Sequence, residues 1–122
     1  MKVKFFFPLV VLMAFLAAGQ AWAEGCDRPG SPREMTECAA LRLKAADREL
    51  GEVYGGLMDS EDKEFTATLK QAQEAWMRWR EAEGALAAKT ATEADLVEYA
   101  RMQQQALMTE DRIKDLRGMA GN

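Results

Sequence analysis

The chain has 122 residues, a net charge of −4 and no histidine, with 48% hydrophobic and 30% charged residues. The acidic balance argues against a nucleic-acid partner, because phosphate binding calls for a basic face. Without imidazole, histidine-based triads, haem ligation and metal sites are excluded, and the length supports one domain.

Residues 1–23 have the layout of an export signal: Lys2 and Lys4, an apolar run from Phe5 to Gly19, then Ala21 and Ala23 at the positions a signal peptidase reads. The run is about fifteen residues and contains Pro8, whereas a membrane span needs roughly 20. Cleavage is expected after Ala23, leaving residues 24–122 as the domain, with no membrane span and a periplasmic or secreted location. Glu24 interrupts Ala23-Glu24-Gly25 before Cys26, where a lipid-attachment signal needs small residues, so a lipoprotein is disfavoured. Cleavage removes two of 16 basic and none of 20 acidic residues, so the remaining 99 residues carry −6, from 14 basic and 20 acidic. That charge suits a cationic protein partner, although it also serves plain solubility.

Cys26 and Cys38 are the two cysteines. In an exported chain they read as a disulfide, closing a loop of the size worth about 3 kcal/mol in the chain-entropy account. It fastens the segment Cys26 to Pro32 to the first helix.

Ser31-Pro32-Arg33-Glu34 is a helix start: a capping serine, a proline at the first position and a glutamate placed for a capping box. Met35, Ala39, Leu43, Ala46, Leu50, Val53 and Leu57 then recur at steps of three and four as one apolar stripe. Gly55-Gly56 weakens the last turn, and Asp59-Ser60 begins the next element. A second helix is expected from Glu61 to Lys89. On it Phe65, Leu69, Ala72 and Trp79 fall within about 60° of Trp76, which assigns Trp76 to the core and Trp79 to the edge of the stripe. Gln73, Arg80 and Glu83 lie on or beside this face and need partners. Thr92, with Asp95 three on, is the expected cap of a third helix, lined by Leu96, Tyr99, Met102, Ala106, Ile113 and Leu116 and ended by Gly118. Short loops make the whole an all-α, three-helix antiparallel bundle.

Ser31 and Ser60 are the only serines and both sit at expected helix caps. There is no glycine-rich phosphate loop, and the acidic run Asp59 to Glu64 lacks the spacing and glycine of a calcium loop. No cofactor or metal is expected, and an enzyme is disfavoured.

Cys26, then Glu34-Met35-x-x-Cys38-Ala39, then Ala46-Asp47-x-x-Leu50-x-x-x-Tyr54 resembles the first half of the LprI-like lysozyme-inhibitor domain family. Gln73-x-x-Trp76-x-x-Trp79-Arg80-Glu81-Ala82-Glu83 and Met108-Thr109-x-x-Arg112-x-x-x-Leu116 continue it. The resemblance implies a small, exported, all-helical domain stapled by disulfides, named for inhibition of lysozyme. It also implies mainly structural roles for the motif positions Asp47, Leu50, Tyr54, Gln73, Trp76, Arg80, Thr109 and Arg112. Three positions depart from the pattern: Gly84 stands where a cysteine is common, with no partner cysteine near Gln103 to Gln105, Trp79 where a tyrosine is usual, and Gly51 where an asparagine is.

With Leu50 at zero, Asp47 lies near 60° and Tyr54 near 40°, on the rim of the first stripe. Turns near residues 59 and 90 put Asp47 level with Gln71 and Thr109. Arg80 is then about nine residues off level, roughly 13 Å. Asp47 is therefore expected to pair with Arg112, Gln73 or the Trp76 indole and not with Arg80, while Arg80 pairs with Glu83. The functional expectation is a stoichiometric inhibitor whose acidic surface docks on a cationic lysozyme or other cell-wall hydrolase. Asp59, Glu61 and Asp62 at one turn, and Glu81 and Glu93 near the other, are the candidate contacts. The alternative is an envelope interaction or stress-related binding module without inhibitory activity.

Overall fold

The computed structural model describes residues 25–121, so the signal-like segment and its cleavage point lie outside the described residues. Helix α1 spans Pro32–Met58, α2 spans Lys63–Thr90, a 3-10 turn covers Ala94–Leu96, and α3 spans Val97–Ala120. Among the described residues there is no strand, and no helix is long and apolar enough to cross a membrane. The Cys26–Cys38 disulfide is formed and ties the leading segment to the second turn of α1.

The helix starts follow local hydrogen-bond chemistry. Ser31 Oγ accepts from the Glu34 N–H at 3.2 Å, with Pro32 at the first position. Glu34 reaches back to the Gly30 N–H at 2.7 Å, one residue before the partner a capping box uses. Ser60 is not the cap of α2. Asp62 is, its carboxylate accepting from the Phe65 N–H at 3.0 Å, while Ser60 Oγ takes the Asp62 N–H. α2 therefore begins at Lys63 rather than Glu61. Thr92 does not cap α3 either: the chain first makes a 3-10 turn, in which the Leu96 N–H donates to the Glu93 carbonyl, and only then enters α3. Gly118 does not end α3, because it keeps a negative φ and the helix runs on to Ala120.

Helix α3 lies between the other two, packing on both α1 and α2, which hardly touch each other. Arg42 bonds to Glu110 and Arg117 to Glu49, both 68 residues apart, as two parallel helices at a constant register require. The core is Leu50, Leu69, Trp76, Met108, Ile113 and Leu116, with Val53, Tyr54, Leu57, Met58 and Phe65 packed around it. Because α3 is covered on two sides, a single apolar stripe underestimates its buried face. Gln105, Met108 and Thr109 are buried as well as Ala106, Ile113 and Leu116, and Leu96, Tyr99 and Met102 are only half-buried. On α2 the buried face runs through Thr66, Leu69, Gln73, Trp76, Gly84 and Ala88. That face is centred on the Gln73 side of Trp76, so Ala72 and Trp79, on its other side, are exposed.

Candidate functional site

The separation of α1 from α2 leaves an open groove of about 410 Å³ between them. From α1 come Asp47, Leu50, Gly51 and Tyr54, at the three- and four-residue steps that share one helix face. From α2 come Lys70, Gln73, Glu74, Met77 and Arg80, with Trp76 in the floor. The lining is mostly apolar, and its charged groups are concentrated at the rim.

Arg80 organises the groove. Its Nη1 donates to Asp47 Oδ1 at 2.5 Å and to Thr109 Oγ1 at 3.0 Å, and its guanidinium stands 5.2 Å from the centre of the Trp76 ring. The Thr109 hydroxyl in turn donates to the Gln105 carbonyl at 2.7 Å. The expectation that Asp47 avoids Arg80, and that Arg80 turns to Glu83, is therefore corrected. Counting residues placed the two Cα atoms too far apart, but side chains lean toward the N-terminus of their own helix. In this antiparallel pair Asp47 and Arg80 lean toward each other, and the long arginine spans the rest. Gln73 is taken by Arg112, whose Nε donates to Gln73 Oε1 at 3.1 Å.

The eight motif positions thus converge. Six line the groove, and Thr109 and Arg112 stand behind it, bonded to Arg80 and Gln73. Gly51, Lys70, Glu74 and Met77 complete the groove without belonging to the motif; Gly51, Lys70 and Met77 lie one helical turn from a residue that does, and Glu74 adjoins Gln73. The arrangement contains no nucleophile paired with a base. Its two carboxylates, Asp47 and Glu74, are matched by Arg80 and Lys70, so the groove is charge-balanced over an apolar floor.

On the opposite side of the bundle, Arg42 and Glu110 form a two-point pair at 2.7 Å on both branches beside the disulfide. The hydrogen bonds that Arg42 donates to Glu110 raise its pKa further, against the opposing effect of partial burial.

The candidate contact carboxylates do not converge. Asp59, Glu61 and Asp62 are exposed at the α1–α2 turn. Glu93 lies beyond the far end of α2, which at 28 residues is about 42 Å long. Glu81 is on the flank of α2, accepting a hydrogen bond from Gln105 at 3.3 Å. No single partner surface covers all five.

The profile of the family described as lysozyme inhibitor LprI matches residues 26–116. The chain belongs to this family. The LprI match takes in both cysteines, all three long helices down to Leu116, and every residue of the groove. The description of the family names an inhibitor rather than an enzyme. No curated protein and no solved structure compared with the chain matches it.

Proposed function

We propose that this protein is an exported lysozyme inhibitor that works by stoichiometric blockade, an acidic surface docking over the cationic substrate cleft of the enzyme. The LprI match over residues 26–116 carries this reading. The disulfide supports export, because such bonds persist in oxidising compartments, the periplasm or the exterior of the cell.

Of the candidate surfaces, the α1–α2 turn is favoured. Asp59, Glu61 and Asp62 stand exposed within four residues at one end of the bundle, and Glu64 follows them. Glu81 is engaged with Gln105, and Glu93 lies at the opposite end with only Asp95 beside it in the 3-10 turn. Charge complementarity of this kind steers encounter and weakens as salt rises.

The test is titration of the oxidised, exported protein into a lysozyme lysis assay at low and physiological ionic strength. Inhibition at one-to-one stoichiometry that fades with salt is expected. The reversal Asp59→Lys with Glu61→Lys should abolish it without unfolding the chain, since neither side chain caps a helix. Asp62 is left in place because it caps α2. A second reading, an envelope binding module without inhibitory activity, draws on Gly84 and Gln105, which stand where the family resemblance puts a second disulfide. It predicts no effect on lysozyme at either salt concentration.

A further inference from the structure

Helix α2 carries a second apolar face that its own bundle leaves uncovered. Phe65, Ala72, Trp79 and Leu86 are seven residues apart, and Thr68, Ala75 and Ala82 follow the first three of them by three. This is a heptad seam, the pattern by which one helix packs along another. Every member but Phe65 is exposed, and Trp79 and Leu86 keep 56% and 57% of their surface in water. From Phe65 to Leu86 the seam holds no charge; Lys89, three residues after Leu86, ends it, and the other exposed positions on the helix carry Lys70, Glu74, Arg78 and Glu81.

We propose that this seam is a self-association surface, covered by the α2 helix of a second copy in an antiparallel, two-fold arrangement. The seam complements itself about one point, the level of residue 77. At one end Leu86 protrudes. At the other, as far from residue 77, Thr68 opens on an apolar hollow of about 180 Å³ walled by Phe65, Leu69, Ala72 and Met119. A two-fold axis at residue 77 seats each Leu86 in the hollow of the other copy. The same axis sets each bulky Trp79 against the small Ala75 of the second copy and Ala82 against Ala72. Leu86 and Trp79 then face a hollow and a small side chain, and Ala82 and Ala72 let the backbones approach between them.

Charge follows the same symmetry. Lys89, the last seam position, comes level with Phe65 of the second copy and beside its Glu64, while Arg78, one residue from the axis, faces its own counterpart. An unrelated helix would have to reproduce the spacing of knob, hollow and charge, whereas a second copy supplies all three. The two-fold closes the contact, so association stops at the dimer. A single helix pair is a small interface, and association in the micromolar range is expected. The dimer leaves the α1–α2 groove and the carboxylates of Asp59, Glu61 and Asp62 uncovered, so it does not depend on the proposed inhibitory activity.

The experiment is sedimentation velocity on the purified, oxidised protein from micromolar to near-millimolar concentration. The mass should double and go no further. Trp79→Glu should raise the dimer dissociation constant by at least about tenfold, with circular dichroism and thermal melting unchanged because the side chain is exposed in the monomer. Glu64→Lys and Lys89→Glu should each weaken the dimer about threefold, and the two together should restore it. A monomer at every concentration, a dimer indifferent to Trp79→Glu, or a mass that grows beyond two copies overturns the proposal. Failure of the charge swap to restore association overturns the antiparallel arrangement.

Discussion

Gly51 and Gly84 both sit inside long helices, yet the space around them differs. A Cβ on Gly51 meets nothing within 4 Å, whereas one on Gly84 lies 2.9 Å from Gln105 Nε2 and 3.0 Å from its Cγ. Gly51→Ala should therefore stabilise the protein by about 0.5–1 kcal/mol through lost chain entropy. Gly84→Ala should destabilise it by about 1 kcal/mol, because buried Gln105 has to leave its bond to Glu81. Urea denaturation of the two variants reads the opposite signs, and an equal effect at both sites would refute the packing difference. Arg80 gives a second comparison. Its side chain is 12% exposed and that of Asp47 is 45% exposed, so removing the arginine costs more than neutralising the aspartate. Arg80→Ala takes one of two hydrogen bonds from the buried Thr109 hydroxyl, leaves Asp47 without its partner and uncovers the Trp76 ring, for about 2–3 kcal/mol. Asp47→Asn keeps a weaker acceptor in place and should cost about 1 kcal/mol. The Arg80–Asp47 contact was hidden from residue counting because the counting located Cα atoms and ignored the direction in which side chains lean.

At the scale of the elements, α3 is the hinge of the fold, and its contact with α2 carries a testable vacancy. The resemblance places a cysteine at Gly84 and its partner near Gln103 to Gln105, and the structure sets Gly84 against Gln105. Gly84→Cys with Gln105→Cys should close a disulfide spontaneously on export and add about 3 kcal/mol, read as a higher midpoint that returns to the parent value on reduction. If the two thiols stay free in the folded, oxidised protein, the contact is looser than described. The existing staple provides the reference: Cys26→Ser with Cys38→Ser should lower stability by a similar amount and free the leading segment from α1. Helix existence was legible from capping and apolar periodicity, and α1 begins where Ser31-Pro32 says it should. The starts of α2 and α3 were not, since Ser60, Asp62 and Thr92 are all competent caps and the tertiary fit of the loop selects among them.

At the scale of the whole molecule, the bundle presents three separate exposed features: the groove between α1 and α2, the acidic α1–α2 turn, and the outer seam of α2. Lysozyme inhibition through the turn predicts that raising ionic strength from about 0.01 M to about 0.15 M weakens binding clearly, as the screening length falls from roughly 30 Å to roughly 8 Å. Calorimetric titration at the two salt concentrations measures it, and binding that ignores salt would move the contact away from the turn, to an apolar surface. The sequence by itself determined the helical class, the three-helix count, the disulfide and the motif, because caps, periodicity and cysteine pairing are local or need only one long-range partner. Only the tertiary structure decided that α3 lies between its neighbours, that Arg80 joins Asp47 and Thr109, and that α2 has one face in the core and a second in water. Those outcomes depend on helix rotation and spacing, where a few degrees or one ångström exchanges a buried residue for an exposed one, and a sequence pattern does not resolve differences of that size.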